Sequence, residues 1–146
     1  MAESVIRKVE ANDIPQICNL ENVSFKEPYP SSIIRSLSIL YPNLFLVAEK
    51  AEKIVGYLVA SKYKNLGYLL SIAVNPPERR KSVGRSLMER IFMILKNEGV
   101  TTIRLEVRRS NLIAREFYEK LGFESSHSIP NYYGEEDAIV YFKEIQ

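Results

Sequence analysis

Two adjacent prolines, Pro76 and Pro77, separate a strand-like stretch of this chain from a helix-like one. The stretch before them, GYLLSIAV at residues 67–74, is rich in apolar and β-forming side chains and predicts a strand. After them, apolar residues recur at every fourth position, which is the spacing of one helix face. These residues are Val83, Leu87, Ile91 and Leu95. Because proline lacks a backbone N–H and restricts φ, the strand has to stop here. The junction therefore predicts a strand, a turn and a helix in that order.

The other apolar patterns predict elements along the whole chain of 146 residues. Periodicity and turn signals give the order β-α-α-β-β-β-α-β-α-β-β. The strands are VIRKV, NLFLVAE, KIVGYLVASKY, GYLLSIAV, TTIRLEVR, FESSHSI and DAIVYFKEI. The helices are ANDIPQICNLENVSF, one that carries Ile33, Ile34, Leu37 and Leu40, one that carries Val83, Leu87, Ile91 and Leu95 and ends at Gly99, and one from about Asn111 to Leu121. Asn12 or Asp13 is expected to cap the first helix, and Ser31 or Ser32 the second. This order implies an α/β fold in which one mixed sheet carries helices on both faces.

Composition limits the class of protein. With 46% apolar and 26% charged residues, the chain has the make-up of a single globular domain, which we expect to span residues 1–146. The net charge of +2 is too small for a general nucleic-acid or membrane binder. The start lacks the pattern of a secretory signal peptide, and no apolar run approaches the roughly 18 residues of a membrane span. We therefore expect a soluble, cytoplasmic protein.

Cys18 and His127 are the single cysteine and the single histidine of the sequence. One cysteine cannot form an intrachain disulfide, and the spacing of Cys18 from Ile14 predicts a buried helix position instead of a nucleophile. His127 has no second ligand nearby in the sequence. We therefore expect neither cysteine chemistry nor a metal site.

The segment PPERRKSVGRSL, residues 76–87, combines a helix start with a cluster of cations. The first N–H groups of a helix have no intrahelical acceptor and the macrodipole is positive there, so an anion is favoured. Gly84 leaves room for a phosphate. The cations are Arg79, Arg80, Lys81 and Arg85. The segment suits a pyrophosphate, although it lacks the P-loop pattern and the three glycines of a dinucleotide fold. The alternative is a solvated basic turn in which Ser82 is an ordinary N-cap.

The stretch RRKSVGR, residues 79–85, resembles the R/Q-x-x-G-x-G/A loop of GNAT acetyltransferases, which cradles the pyrophosphate of acetyl-CoA. Arg79 stands at the first position and Gly84 at the last. Ser82 departs from the pattern by replacing the first glycine. Its Cβ would narrow the loop, or its hydroxyl would donate to a phosphate oxygen.

Three further segments extend the resemblance over most of the chain. LEVRRSNLIAREFYEKLGF, residues 105–123, is similar to the second signature of the family, and NYYGEEDAIVYF, residues 131–142, to the C-terminal hairpin of RimI-like and Ard1-like protein N-terminal acetyltransferases. FKEPYP, residues 25–30, resembles the loop that shapes their substrate pocket. The resemblance implies the GNAT fold, a mixed and mostly antiparallel sheet of about seven strands. It also implies a splay between the fourth and fifth strands, where the pantetheine enters.

The resemblance assigns two catalytic roles. Glu106 takes the position of the general base, acting through a water. The alternative is that Glu106 only pairs with Arg104 or Arg108, its neighbours on the same strand face. Tyr118 takes the position of the general acid, because a phenol can protonate a departing thiolate. Its position in an apolar helical stripe also fits an ordinary core tyrosine.

The remaining site residues are likewise implied by the resemblance. The Val74 N–H polarises the acetyl carbonyl and Ile72 binds the pantetheine amides, while Asn111 is a helix cap, a contact of the CoA arm, or both. The residues expected to bind the cofactor are Ile72, Ala73, Val74, Arg79, Arg80, Lys81, Ser82, Val83, Gly84, Arg85, Asn111 and Tyr118. Those expected to bind the acceptor are Phe25, Glu27, Pro28, Tyr29, Tyr68, Tyr132 and Tyr133, which otherwise are ordinary strand, turn and surface residues.

These features predict an acetyl-CoA-dependent protein N-α-acetyltransferase that works by direct transfer in a ternary complex and releases CoA. Its substrates would be protein N-termini, a ribosomal protein among the candidates, and the need for an auxiliary subunit stays open. Two alternatives remain: a GNAT enzyme acting on lysine side chains or a small amine, and a non-catalytic CoA- or RNA-binding module. Steep salt dependence of nucleic-acid binding without acetyl transfer would favour the last. No membrane and no specific nucleic acid are expected as partners.

Overall fold

The computed structural model describes residues 3–79 and 82–145. Its helices and strands follow the predicted order. They are β1 Val5–Lys8, α1 Ile14–Ser24, α2 Ser31–Leu40, β2 Phe45–Lys50, β3 Lys53–Tyr63, β4 Leu66–Val74, α3 Val83–Asn97, β5 Thr102–Arg108, α4 Leu112–Lys120, β6 Glu124–Ile129 and β7 Ala138–Glu144. Short 3₁₀ turns at Ala11–Asp13 and Pro76–Glu78 precede α1 and follow β4. The predicted element order is therefore confirmed.

The strands form one seven-stranded sheet in the order β1-β2-β3-β4-β5-β7-β6. The pairs β1–β2, β2–β3, β5–β7 and β6–β7 are antiparallel. β4 and β5 run parallel, with Leu66–Tyr68 opposite Thr102–Arg104. This mixed, mostly antiparallel sheet confirms the predicted fold class. The single-domain organisation, the placing of helices on both faces and the splay between β4 and β5 stay predictions.

The chain divides into two compact units. The first contains the described residues of segments 1–61 and 70–94, and the second those of 62–69 and 95–146. β4 contributes to both, since Leu66–Leu69 belongs to the second unit and Leu70–Val74 to the first. Each unit has its own buried residues.

The core of the first unit brings α1 and α2 onto the strands. Its buried members are Ile14, Ile17, Leu20, Ile34, Phe45, Val47, Ile54, Tyr57, Val59 and Ala73. The α1 members recur at helical spacing, which is why that helix buries one face. Cys18 packs partly buried against this cluster, and burial raises the pKa of its thiol. This agrees with a packing role and not with a nucleophile.

The two predicted helix caps differ from the observed ones. α2 begins at Ser31 without a side-chain cap, because the N–H groups of Ile33 and Ile34 donate to the carbonyl of Pro30 instead. Asp13 precedes α1, yet its carboxylate accepts from the Glu10 N–H and from Arg7. Burial alone would raise the pKa of Asp13, but these hydrogen bonds lower it. The expectation of a serine cap on α2 was therefore wrong, and Asp13 serves the turn before α1.

The second unit is built on the alternation of β5. Ile103, Leu105 and Val107 are buried, and the residues between them face the other side, half-exposed. After α4, Gly122 adopts a φ of +95°, a left-handed conformation that glycine takes without steric cost. Phe123 then folds back to 2% exposure, with its ring centroid 5.8 Å from that of Tyr118. The predicted helix end at Gly122 is confirmed.

Within residues 3–79 and 82–145, no helix is long and apolar enough to cross a membrane.

Asn111 caps α4, because its Oδ1 accepts from the Ala114 N–H at 3.2 Å. We expect Asn111→Ala to lower the free energy of unfolding by about 1 kcal/mol. Asn111→Asp, which keeps a cap acceptor, should stay near wild type. Denaturant unfolding of the three proteins measures both. An unchanged stability of Asn111→Ala would show that the bond contributes nothing.

Candidate functional site

The predicted site residues lie in both units. In the second unit, Glu106 lies on the half-exposed face of β5. Glu106 makes two contacts there. Its Oε2 lies 2.9 Å from the Arg104 Nε, and its Oε1 accepts from the Tyr132 hydroxyl at 3.2 Å. The alternative partner Arg104 is therefore present. Arg108 instead places its Nη1 3.2 Å from Glu136. Glu106 thus keeps contact with a cation and with one of the two predicted acceptor-binding tyrosines.

The loop between β6 and β7 is fastened to the end of β5. The Tyr132 and Tyr133 rings meet edge to face at 4.9 Å, and the Arg108 guanidinium lies 4.3 Å from the Tyr133 ring centroid. Glu136 accepts from the Ser110 N–H at 2.8 Å and from Arg108. Hydrogen bonds from Ser110 and Arg108 lower the pKa of this carboxyl. These contacts hold the tyrosine pair beside Glu106.

Tyr118 is buried at 8% exposure. Its ring makes aromatic contacts with Phe117, Phe123 and Tyr141. Burial raises the pKa of Tyr118, so the phenol keeps its proton at neutral pH. Among the described residues, none hydrogen-bonds its hydroxyl. The structure therefore supports the core packing of this ring and leaves a protonated hydroxyl for other use.

The helix that carries Tyr118 is fixed to β7 by a polar cluster. The buried Tyr141 donates to Glu119 at 2.6 Å and accepts from the Arg115 Nε at 3.1 Å. Arg115 also donates to the carbonyl of Arg109 at 2.9 Å. Because Glu119 and Arg115 flank Tyr118 on α4, these bonds limit the rotation of its helix.

Two more predicted residues belong to this unit. Tyr68 is half-buried on β4, opposite Arg104 in the parallel pairing. Asn111 is exposed at the start of α4 and acts as its cap. One of its two predicted roles is thus observed, and its contact with the CoA arm stays a prediction.

In the first unit, the predicted pantetheine strand and phosphate loop are joined by Arg79. Its Nε donates to the Val74 carbonyl at 2.9 Å. The N–H of Asn75 donates to the Val55 carbonyl at 2.8 Å, which fixes the end of β4. Ile72 and Val74 are half-buried on this strand, and Ala73 is buried between them. Arg80 and Lys81 lie outside the described residues.

The start of α3 has the features that an anion site needs. The Ser86 N–H donates to the Ser82 carbonyl at 2.9 Å, so the earlier N–H groups, those of residues 83–85, have no intrahelical acceptor. Val83 is buried, Gly84 half-buried and Arg85 exposed. A cavity of about 350 Å³ borders Ser82 and Val83, with Lys50, Glu78 and Ser86 among its walls.

The close packing of α3 against β3 depends on Gly56. A Cβ on Gly56 would lie 3.2 Å from the Val83 side chain and 3.3 Å from the Ala73 carbonyl. Contacts this short force the neighbours to give way. The missing side chain therefore sets the depth of the first turn of α3.

Ser82 adopts a φ of +69°. This is the left-handed region, in which an L-residue is strained and glycine is not. The position is that of the first glycine in the family pattern. Ser82 therefore adopts a backbone conformation that a glycine would take without strain.

The predicted acceptor wall is the segment between α1 and α2. Phe25 and Tyr29 are each 37% exposed, and Glu27 is exposed. Pro28 is half-buried. The Tyr29 N–H donates to Glu21 Oε2 at 2.9 Å.

Glu21 and its partners were missed in the sequence. This glutamate is 2% exposed, and its Oε1 accepts from the hydroxyls of Tyr57 and Ser71. The sequence could have pointed to this buried glutamate, because Glu21 comes seven residues after Ile14 and so lies on the same apolar face of α1. A carboxylate in an apolar stripe needs buried donors. Ser71, inside the apolar β4, was the second signal.

The described part of the chain contains no group of three or more His, Cys, Asp or Glu side chains able to hold a metal ion.

Comparisons with known proteins test the predicted family resemblance. Residues 14–123 match the family model described as "Acetyltransferase (GNAT) family". An uncharacterized N-acetyltransferase of Methanocaldococcus jannaschii is 36% identical over 141 residues, covering 95% of this chain and 90% of that protein. The ribosomal protein bS18-alanine N-acetyltransferase of Escherichia coli K12 is 32% identical over 142 residues, covering 94% and 95%. The crystal structure of Ard1 from Thermoplasma volcanium matches with a TM-score of 0.95 and 31% identity over 99% of each chain. The predicted family resemblance is confirmed.

Because Ser82 occupies a left-handed conformation, we expect Ser82→Gly to raise the free energy of unfolding. The strain on an L-residue is about 1–2 kcal/mol, and the greater freedom of glycine in the unfolded chain offsets about 0.5–1 kcal/mol of it. Gly99 has a φ of +87° with open space around it, so Gly99→Ser is the matched control of opposite sign. A lower free energy of unfolding for Ser82→Gly than for wild type would show that the left-handed conformation does not strain Ser82. The affinity of the Ser82→Gly protein for acetyl-CoA tells the two predicted roles of the side chain apart. Tighter binding than wild type would mean that the Ser82 Cβ narrows the loop, and weaker binding would mean that the hydroxyl donates to a phosphate oxygen.

Proposed function

Because this chain belongs to the acetyltransferase (GNAT) family, with acetyl-CoA as the acetyl donor, we propose that its acceptor is the free α-amine at the N-terminus of a protein. The observation that carries the proposal is the contact between Glu106 and Tyr132 at 3.2 Å. It joins a candidate base to a candidate peptide-binding tyrosine. The E. coli relative, at 32% identity, is an alanine N-acetyltransferase of ribosomal protein bS18, and this similarity supports the proposal.

Acetyl-CoA fits the residues at the start of α3. The N–H groups of residues 83–85, which precede the first described bond of α3, and the exposed Arg85 favour a pyrophosphate. The left-handed φ of Ser82 is one that the first glycine of the family pattern would adopt without strain. Bound there, the cofactor supplies a thioester whose acetyl group can be attacked. Arg79, with its Nε on the Val74 carbonyl, would keep this loop in register with β4.

We assign Glu106 the role of base. It takes a proton from the attacking amine through a water. The Nε of Arg104 lies 2.9 Å from this carboxylate and pairs with it. A modest base suffices for an α-amine, whose pKa near 7.7–8.0 leaves it partly neutral at physiological pH. A lysine amine, with a pKa near 10.4, is neutral in fewer than about one molecule in a thousand at pH 7.

We assign Tyr118 the role of acid. Its buried phenol holds the proton that the departing thiolate needs. Burial raises the pKa of Tyr118, which keeps the phenol protonated at neutral pH and makes it a weaker donor than an exposed tyrosine. The backbone N–H of Val74 stabilises the negative charge that develops on the carbonyl oxygen. The amine nitrogen then carries the acetyl group and the carbon–sulfur bond is broken. Tyr118 regains its proton from solvent, and Glu106 releases the proton of the amine to solvent. No acyl-enzyme is needed, which agrees with the packing role of Cys18.

The partners follow from the same proposal. A ribosomal protein N-terminus is one candidate acceptor, because the E. coli relative is named for ribosomal protein bS18. A cytoplasmic location would give access to such a substrate. The preferred first residue of the acceptor depends on Phe25, Glu27, Pro28, Tyr29 and Tyr68, together with the tyrosine pair.

The first experiment measures CoA release from acetyl-CoA with short peptides that differ in residue one. N-terminally blocked peptides that contain lysine are the controls. We expect turnover only with free α-amines. Acetylation of lysine in the blocked peptides would support a GNAT enzyme that acts on lysine side chains. Tight acetyl-CoA binding without turnover on any peptide would support a non-catalytic CoA-binding module.

The catalytic roles are tested by Tyr118→Phe and Glu106→Gln. Each should lower kcat by about 100-fold or more, since each removes a proton-transfer group. The Glu106→Gln deficit should shrink between about pH 6.5 and about pH 9, because the acceptor amine loses its proton unaided as the pH passes its pKa.

Tyr63→Phe is the matched control, because Tyr63 is 69% exposed on β3 and has no proposed role. It should retain wild-type kcat. A Tyr118→Phe enzyme as active as this control would exclude Tyr118 as the acid, and a pH-independent deficit of Glu106→Gln would argue against its role as base.

A further inference from the structure

We propose that Glu21 is a positioning residue that fixes the acceptor-binding segment Phe25–Tyr29 to the body of the first unit. This inference rests on the proposed function, because that function assigns acceptor binding to the segment Phe25–Tyr29. Glu21 lies on α1 and is 2% exposed. The hydrogen bonds described for Glu21 join residues of the first unit, and we assign it no part in proton transfer, so its effect on the reaction would be indirect.

Glu21 binds both ends of the segment. Its backbone carbonyl accepts from the Phe25 N–H at 3.1 Å, and its Oε2 accepts from the Tyr29 N–H at 2.9 Å. Residues 25–30 have neither helix nor strand conformation. One residue thus closes a loop of five residues through its main chain at one end and through its side chain at the other. A charge-assisted bond to a backbone N–H is stronger than a neutral one.

The other carboxylate oxygen of Glu21 is held inside the sheet. Oε1 accepts from the Tyr57 hydroxyl on β3 and from the Ser71 hydroxyl on β4 at 3.2 Å. The Tyr57 and Ser71 hydroxyls lie 3.0 Å apart. Tyr57 is fully buried, and burial together with the neighbouring carboxylate raises its pKa. These donors fix the carboxylate plane, and the fixed plane aims Oε2 at the Tyr29 N–H.

Burying a carboxylate between two strands costs desolvation free energy, whereas apolar side chains would hold the strands together without that cost. Its distinctive property here is that two oxygens serve two different tasks. One is satisfied by side chains of the sheet and the other by the main chain of an exposed segment. We infer that the second task is the reason for a glutamate at this apolar position of α1.

The matched variants are Glu21→Gln and Tyr57→Phe. Glu21→Gln offers one amide oxygen where two carboxylate oxygens served, so the Oε1 donors and the Tyr29 N–H compete for it. Tyr57→Phe removes one of the two donors to Oε1, and the Ser71 hydroxyl remains to hold that oxygen, so we expect the Tyr29 bond to be kept. Both remove a buried hydrogen bond and both should lower the melting temperature.

Peptide acetylation kinetics then separate positioning from stability. We expect Glu21→Gln to raise the KM for the peptide by about tenfold or more, with the KM for acetyl-CoA within about twofold of wild type. Tyr57→Phe should keep the peptide KM within about twofold. The proposal is overturned if the two variants shift the peptide KM equally, or if Glu21→Gln raises the KM for acetyl-CoA as much as that for the peptide.

Hydrogen exchange of the wild-type protein tests the same contact without any activity or variant. The Tyr29 amide should exchange roughly 100-fold or more slowly than expected for an unstructured chain, although it lies in an exposed, irregular segment. Unprotected exchange would refute the anchor even if Glu21→Gln failed to fold. A protected Tyr29 amide in a protein that acetylates no peptide would leave the anchor intact and reject the proposed function instead.

Discussion

The strict alternation of β5 is the constraint on which the second unit depends. Every second residue, Ile103, Leu105 and Val107, enters the core, so the residues between them must share the other face. A shift of one residue would bury three charges, which the core could not accommodate. The hydrophobic effect that fixes this strand thereby also fixes Glu106. The candidate base is held in place by its apolar neighbours as firmly as by Arg104.

The two units surround a carboxylate in different ways. On β5, Glu106 stays half-exposed with an arginine and a tyrosine around it, so solvent screens much of the interaction. In the first unit, Glu21 is withdrawn from water and depends on hydroxyls and a backbone N–H. The first arrangement leaves a carboxylate that can exchange protons with a substrate. The second produces a rigid support, which agrees with a structural task for the one carboxylate and a chemical task for the other.

Sequence reasoning succeeded where a pattern is local. The order of strands and helices, the cap at Asn111 and the end of α4 at Gly122 follow from periodicity and turn chemistry. It failed where the partner is distant in the chain. Glu21 meets Ser71 across 50 positions, and no local pattern announces that pair. The sequence could not decide whether Arg104 or Arg108 pairs with Glu106, because both lie two residues away. In the structure Arg104 pairs with Glu106, while Arg108 pairs with Glu136 on the β6–β7 loop.

The main-chain N–H groups at the start of α3 have a consequence for how such proteins change over time. A contact made by a peptide group survives the replacement of any side chain that leaves φ and ψ unaltered, as the serine at position 82 illustrates. Residue identity in this loop can therefore drift while the shape is retained. Pattern searches that demand glycine would miss chains of this kind, and alanine scanning would assign little importance to positions that contribute through their backbone. What such a loop has to supply is a set of torsion angles, and several side chains can be built on it.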